Sequence, residues 1–302
     1  MRFLYGIPYA VAVWGLSGYV NEASKFDRPP SRDRKGYGLS AGCRRIVDGV
    51  TISGFLGRSR LTTDEDLQRC ELYRKSFSTA EVALPAFALR NRLVAKWVRD
   101  HRVAVDVRTG EDLAIAIAAG IHPSRMSLDA DWMGESDLRV AARLGIGLIR
   151  VGSMKQIDSL AAVDYRRHEI VLVLSDGTTG GFRFDSLEMD HAVCAVMGGN
   201  RFNLVGLHCD VGSQLHEFIS YPAAVGHMIT EMEHIRRHHR VMLTRVGLGG
   251  GRAVPAEDWM TALPELSMQI EQALDDACAT LRYPRPLVVL SPGLEMLGQN
   301  AA

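Results

Sequence analysis

Gly206-Leu-His-Cys-Asp-Val-Gly-Ser-Gln214 is an apolar run that carries a histidine and an aspartate and then breaks at Gly212-Ser213. From Asn203 to Cys209 its composition is that of a short strand buried on both faces, and Gly-Ser is a tight-turn signal. His208 and Asp210 are two residues apart, so on a strand their side chains share one face. The fold depends on how many similar strands surround this one.

Outward from this stretch, and from residue 81 onward, short apolar runs alternate with longer segments of helical spacing. The runs predicted as strands are Glu81 to Phe87, Val103 to Val107, Arg125 to Asp129, Gly147 to Val151, Glu169 to Leu174, Asn203 to Cys209, Arg240 to Val246 and Pro286 to Leu290. Helices are predicted between them near 88–100, 111–120, 135–144, 153–162, 185–197, 218–238 and 257–281. A further helix is predicted over Thr62 to Phe77, with acids in its first turn and Arg74 and Lys75 near its end. Continuous apolar strands covered by amphipathic helices define a parallel sheet, and eight such units close as a (β/α)8 TIM-type barrel. An open doubly wound sheet shares this periodicity and is the alternative at this point.

The barrel is assigned to residues 61–295, with 296–302 as a short tail and 1–60 as an N-terminal arm and linker. Residues 21–35 are too polar to order themselves. The apolar stretch Phe3 to Val20 is interrupted by Pro8, Gly15 and Gly18 and falls short of the roughly 20 residues a membrane span needs. Neither a signal nor an anchor is expected.

Composition excludes some classes of function. The formal net charge is zero, which gives no polyanion-binding surface, so no nucleic-acid partner is expected. The five cysteines are scattered and without C-x-x-C spacing, which points to a reducing, cytoplasmic setting and to no thiolate metal site. His234, His238 and His239, among Arg236, Arg237 and Arg240, read as a solvated, dipole-matched helix end. Met228, Met232, Trp97, Trp132 and Trp259 read as packing residues.

The segment 206–214 is similar to the G-L-H-C-H-[IV]-G-S-Q segment of the diaminopimelate/ornithine decarboxylase family, the fold-type III pyridoxal phosphate (PLP) enzymes. It departs at Asp210, where that family has a histidine stacked on the cofactor ring. Val105-Asp-Val-Arg-Thr-Gly-Glu-Asp-Leu113 resembles F-D-V-x-S-G-G-E-L, and the likeness continues at Gly145 to Leu160 and at Leu248-Gly-Gly-Gly251. The resemblance implies a barrel domain, a PLP cofactor and a dimer. It also implies a C-terminal β-domain of about a hundred residues, an ordinary domain size, which is expected to be absent from this chain.

Placed on the family motifs, several cofactor positions carry other residues. Phe87 stands at the lysine position, Ser291 at the carboxylate that meets the pyridine nitrogen, Leu294 at the following arginine, and Asp129-Ala-Asp-Trp-Met133 at H-G-N-N-K. Only a primary amine condenses with the PLP aldehyde. The expectation is therefore a degenerate member that has lost PLP chemistry and needs no cofactor. The anion-binding positions persist in Ser213, Gly249, Gly250, Gly251 and Arg252.

Barrel enzymes react at the C-terminal strand ends, and there the chain places Asp106, Asp129, Asp131, Asp176 and Asp210 beside His208. Asp210 and His208 are the expected acid/base pair, with Asp106 in support, acting on a small, anionic, amino-acid-derived substrate. No metal spacing is visible; Asp129 and Asp131 are the candidates were a metal held. Two alternatives stay open: a non-catalytic partner, as homodimer or paired with an active paralogue, and a residual PLP-dependent decarboxylase or racemase.

Overall fold

The computed structural model describes residues 46–47, 50–51, 64–163, 167–175, 180–211, 220–250 and 259–293. In the unit before residue 55, Ile46–Val47 pairs antiparallel with Val50–Thr51. The rest of the arm predicted over 1–60 and the tail over 296–302 lie outside the described residues.

Eight strands follow helix α1 (Asp64–Ser76): β1 (Glu81–Pro85), β2 (Ala104–Val107), β3 (Met126–Asp129), β4 (Leu148–Val151), β5 (His168–Ser175), β6 (Phe202–Asp210), β7 (Arg245–Gly249) and β8 (Leu287–Ser291). The helices between them are α2 (Arg92–Asp100), α3 (Gly110–Ala118), α4 (Glu135–Leu144), α5 (Met154–Ala161), α6 (Leu187–Met197), α7 (Tyr221–His239) and α8 (Trp259–Leu281). Every neighbouring pair of these strands is parallel, β8 pairs with β1, and β4 pairs with β5, so the sheet closes. Closure excludes the open doubly wound alternative. A short strand, Phe182–Arg183, adds to β5 outside the ring.

Alternation along each strand divides the side chains between two layers. Val82, Leu84, Val105, Val107, Leu128, Ile149, Leu172, Leu207, Val246, Leu248 and Leu290 are buried in the hydrophobic core with the inner faces of the helices. The opposite positions line the barrel axis, where Ser127, Leu148, Val171, Gly247 and Val289 enclose a cavity of only about 10 Å3. That is about the space of one water, so a ligand has to sit at a barrel mouth and not inside the barrel.

Two strands depart from the sequence reading by more than one residue at an end. β1 stops at Pro85, which has no N–H to extend the ladder, and Ala86–Arg90 turns into a 3-10 helix. β7 was expected over 240–246 and forms over Arg245–Gly249. Arg240 takes a left-handed φ of 59° to end α7, and Leu243 N–H donates to Tyr283 Oη at 2.9 Å. The ladder therefore starts later and runs through Gly247 and Gly249. These glycines are strand residues because β6 fills their space: a Cβ at Gly247 would overlap the His208 ring, and one at Gly249 would overlap Asp210 Oδ1.

Candidate functional site

The C-terminal ends of β2, β3, β4, β6 and β8 converge on one buried guanidinium. Arg150, on the inward face of β4, is 2% exposed. Its Nη2 lies 2.5 Å from Asp106 Oδ1 and 3.7 Å from Asp129 Oδ2, and its Nη1 donates to Ser291 Oγ at 3.2 Å. Its Nε has no hydrogen-bond partner. Burial opposes the charge on Arg150, but Asp106, Asp129 and Asp210 outweigh that cost and hold the guanidinium even more firmly protonated than usual. Asp129 is held toward its neutral form: burial raises its pKa, and the nearby Arg150 offsets only part of that rise.

Beside this cluster His208 Nε2 approaches Asp210 Oδ1 at 3.4 Å, a close charge contact in which Oδ1 keeps unused acceptor capacity. The His208 side chain is 4% exposed and that of Asp210 is 30% exposed, so the pair spans from the barrel interior to the open mouth. Burial works against ionisation of Asp210, yet the hydrogen-bonding and charge of His208, followed by Arg108 and Arg150, hold its carboxyl below the usual range. Arg108 is the second cation at the mouth; its Nε is 3.5 Å from Asp106 Oδ2 and its side chain is 35% exposed. A capping box explains its position. Asp112 accepts from the backbone N–H of Arg108 and of Thr109, both at 3.2 Å, while Thr109 caps α3 by accepting from Asp112 N–H.

The structure brings Asp210 and His208 together as their spacing predicts. Asp106 is bound instead to Arg150 and Arg108. Asp129 caps the turn after β3, accepting from Asp131 N–H at 3.1 Å, and Asp131 accepts from Gln156 Nε2 at 2.5 Å, so both serve local structure. Among the described residues no group of three acids, histidines or cysteines is arranged to hold a metal ion. Phe87 is half-buried in the 3-10 turn after β1, under the Arg90 guanidinium at 4.6 Å. Ser291 is the buried last residue of β8, Gly249 ends β7, and Gly250 follows it with a φ of 88°. Ser213, Gly251, Arg252, Leu294 and Asp176 lie outside the described residues. Arg150 and Arg108 were missed by the sequence reading. An arginine within the apolar run 147–151 is the signal that could have found the first.

A closed eight-stranded parallel barrel whose polar groups gather at the C-terminal mouth defines a (β/α)8 ligand-binding domain. The particular family follows from comparison. Residues 65–297 match the model described as pyridoxal-dependent decarboxylase, pyridoxal binding domain, and the chain belongs to that family. Diaminopimelate decarboxylase of Actinosynnema pretiosum subsp. auranticum is 29% identical over 242 residues, 74% of this chain and 54% of the relative. The enzyme of that name from Mycobacterium bovis is 27% identical over 299 residues, 90% of this chain and 66% of the relative. This chain thus spans 54% and 66% of the length of these two relatives. The solved diaminopimelate decarboxylase from M. jannaschii superposes with a TM-score of 0.66 at 16% identity, covering 78% of this chain and 59% of that one, a likeness of fold.

The expectation that this chain needs no cofactor is corrected by the family match, which is to a pyridoxal binding domain and runs through the strands carrying Arg150, His208, Asp210 and Ser291. Replacement of individual contacts is not the loss of the ligand. A phosphate-bearing ring offers many acceptors, and a mouth rich in donors can hold it by other contacts. The described residues fit such a ligand through the Arg108 guanidinium and the Ser291 hydroxyl at the C-terminal strand ends. They supply no amine there: Lys75, Lys96 and Lys155 are exposed on α1, α2 and α5. Among the described residues no helix is long and apolar enough to cross a membrane.

Proposed function

We propose that this barrel binds pyridoxal phosphate together with an amino-acid-derived substrate at its C-terminal mouth, as a decarboxylase-type domain. The observation that carries the reading is the convergence of Arg108, Arg150, Asp106, Asp129, His208 and Asp210 on one barrel mouth in a chain of this family. Pyridoxal phosphate supplies an electron sink for charge that develops beside an amine. The roles of this chain's own residues follow from their charge and exposure. Arg108, partly exposed, pairs with an anionic group, either the phosphate or a substrate carboxylate. Ser291 stands where the family places the carboxylate that meets the ring nitrogen, and its hydroxyl is buried against Arg150. Asp210, ionised and open to the mouth, receives the substrate ammonium, and His208 behind it carries a proton to or from the reacting carbon. Arg150 is a positioning residue that sets Asp106, Asp129 and Ser291. The relatives named diaminopimelate decarboxylase suggest a substrate with two amino and two carboxyl groups, which suits a mouth bearing both signs of charge.

The test is titration of the purified chain with pyridoxal phosphate, followed by the cofactor's near-ultraviolet band and by tryptophan fluorescence. Saturable binding of one equivalent is expected, weakened about tenfold or more by Arg108→Ala, the value of a charge-assisted hydrogen bond. Borohydride should leave no adduct on a lysine. Absence of saturable binding, or equal affinity in Arg108→Ala, rejects the assignment. A second reading, a non-turnover partner of an active decarboxylase, is favoured by one observation, the exposed position of every described lysine on an outer helix. Carbon dioxide release from diaminopimelate by the chain alone would eliminate it.

A further inference from the structure

A second cluster lies on the outer helices α6 and α7, apart from the strand ends. Asp190 and Cys194 are four residues apart on α6 and share one face of it. His239 is the last residue of α7 and reaches between them. Its Nε2 is 2.7 Å from Asp190 Oδ1, and its Nδ1 is 3.8 Å from Cys194 Sγ. His239 is thus no freely solvated helix end, as its sequence context suggested; its side chain is 14% exposed.

The tautomer follows from these contacts. The Asp190 carboxylate can only accept, so Nε2 carries the proton and Nδ1 presents its lone pair to the thiol. The hydrogen bond from His239, against a small burial cost, is the main reason the Asp190 carboxyl is held below the usual range. His234 Nε2 is 3.6 Å from the same Asp190 oxygen and stacks on His238, and the buried Glu231 lies on the same helix. Among the described cysteines Cys70, Cys209 and Cys278 are buried, and burial pushes each of their thiols up, Cys70 to about 12. Cys194 is exposed.

We propose that Cys194 is a reactive thiol with His239 as its base and Asp190 as the group that orients the ring, and that it exchanges with low-molecular-weight disulfides. In the exchange the thiol proton passes to His239 Nδ1, and the sulfur attacks one sulfur of the disulfide. A new S–S bond forms, the old one breaks, and its electron pair leaves with the second sulfur as a thiolate. Cys194 is oxidised to a mixed disulfide while the small disulfide is reduced by one half. An exposed thiol with a nearby base is the setting in which such exchange is fast, whereas buried thiols are inert.

The test is the reaction of the folded full chain with 5,5′-dithiobis(2-nitrobenzoate) in stopped flow across pH, and with oxidised glutathione by peptide mass mapping. One fast phase is expected in a Cys43→Ser background, absent when Cys194→Ser is added, with one glutathione attached to the Cys194 peptide. His239→Gln should slow that phase by about a hundredfold, the scale of general-base assistance, and remove one limb of the rate–pH profile. Asp190→Asn should slow it less, and serves if His239→Gln fails to fold by circular dichroism. A fast phase that survives Cys194→Ser in that background, or histidine and aspartate variants reacting at the rate of that background, overturns the proposal.

Discussion

Replacing Arg150 with methionine removes the one charge that the C-terminal mouth is built around while keeping a side chain of similar length. Two buried carboxyls, Asp106 at 3% and Asp129 at 5% exposure, then lose their nearest cation. Breaking a buried pair from one side costs about 3–5 kcal/mol, because an uncompensated charge is left in a medium of low dielectric. Arg108 still lies 3.5 Å from Asp106, so the lower half of that range, about 3–4 kcal/mol, is expected. The assay is urea denaturation at 25 °C, followed by far-ultraviolet circular dichroism and extrapolated linearly. The pH dependence follows from the upward shift at Asp129, which Arg150 partly restrains. Without Arg150 that carboxyl binds its proton still more readily in the folded than in the unfolded chain. Its penalty is therefore present above the folded pKa and relieved as pH falls through it. The deficit of Arg150→Met should be largest where Asp129 is ionised and shrink on acidification, and Asp106→Asn added to it should restore part of the loss. A variant within about 1 kcal/mol of wild type, the size of an exposed pair, would refute the reasoning. A deficit that grows on acidification would do the same.

Gly249→Ala should displace Asp210 and His208, cost about 1–3 kcal/mol as overpacking does, and weaken pyridoxal phosphate binding in the same titration used for Arg108→Ala. Asp210 is depressed in the folded state, so its contribution is present above the unfolded carboxyl pKa and is lost as pH falls through the folded one. Asp210→Asn should therefore lose that contribution near neutrality and flatten the acid limb of the stability–pH profile below about pH 4, the ordinary range of an aspartate, so that variant and wild type converge on acidification. A limb as steep as that of the wild type would contradict the pairing. Leu128→Ala, on the helix-facing side of β3, should cost about 2–5 kcal/mol in urea unfolding, since Leu128 is fully buried in the core. A loss under about 1 kcal/mol would mean the site collapses around the deletion.

The barrel was legible because its strands are buried on both faces and so read as unbroken apolar runs, with helical periodicity between them. α4 forms at its predicted bounds, Glu135–Leu144, and β6 extends its prediction by one residue at each end. The exception was β7, where glycines that read as a turn are strand residues, spared a Cβ by His208 and Asp210 on the next strand. Spacing was enough to put His208 and Asp210 on one face, because two residues along a strand return to the same side.

Spacing carried no information about Arg150, whose partners Asp106 and Ser291 are 44 and 141 residues away in sequence. Their meeting depends on closure of the ring, which turns separate strand faces into one interior. The link from Asp190 to His239, 49 residues apart, likewise exists only once α6 and α7 pack side by side. The sequence by itself determined the repeating units, the family and the inward pair on β6, all of which are encoded by local periodicity and short motifs. Tertiary structure alone decided which cation neutralises the buried acids and which histidine faces the exposed thiol, because charges and hydrogen bonds act through distance in space, which chain order does not contain.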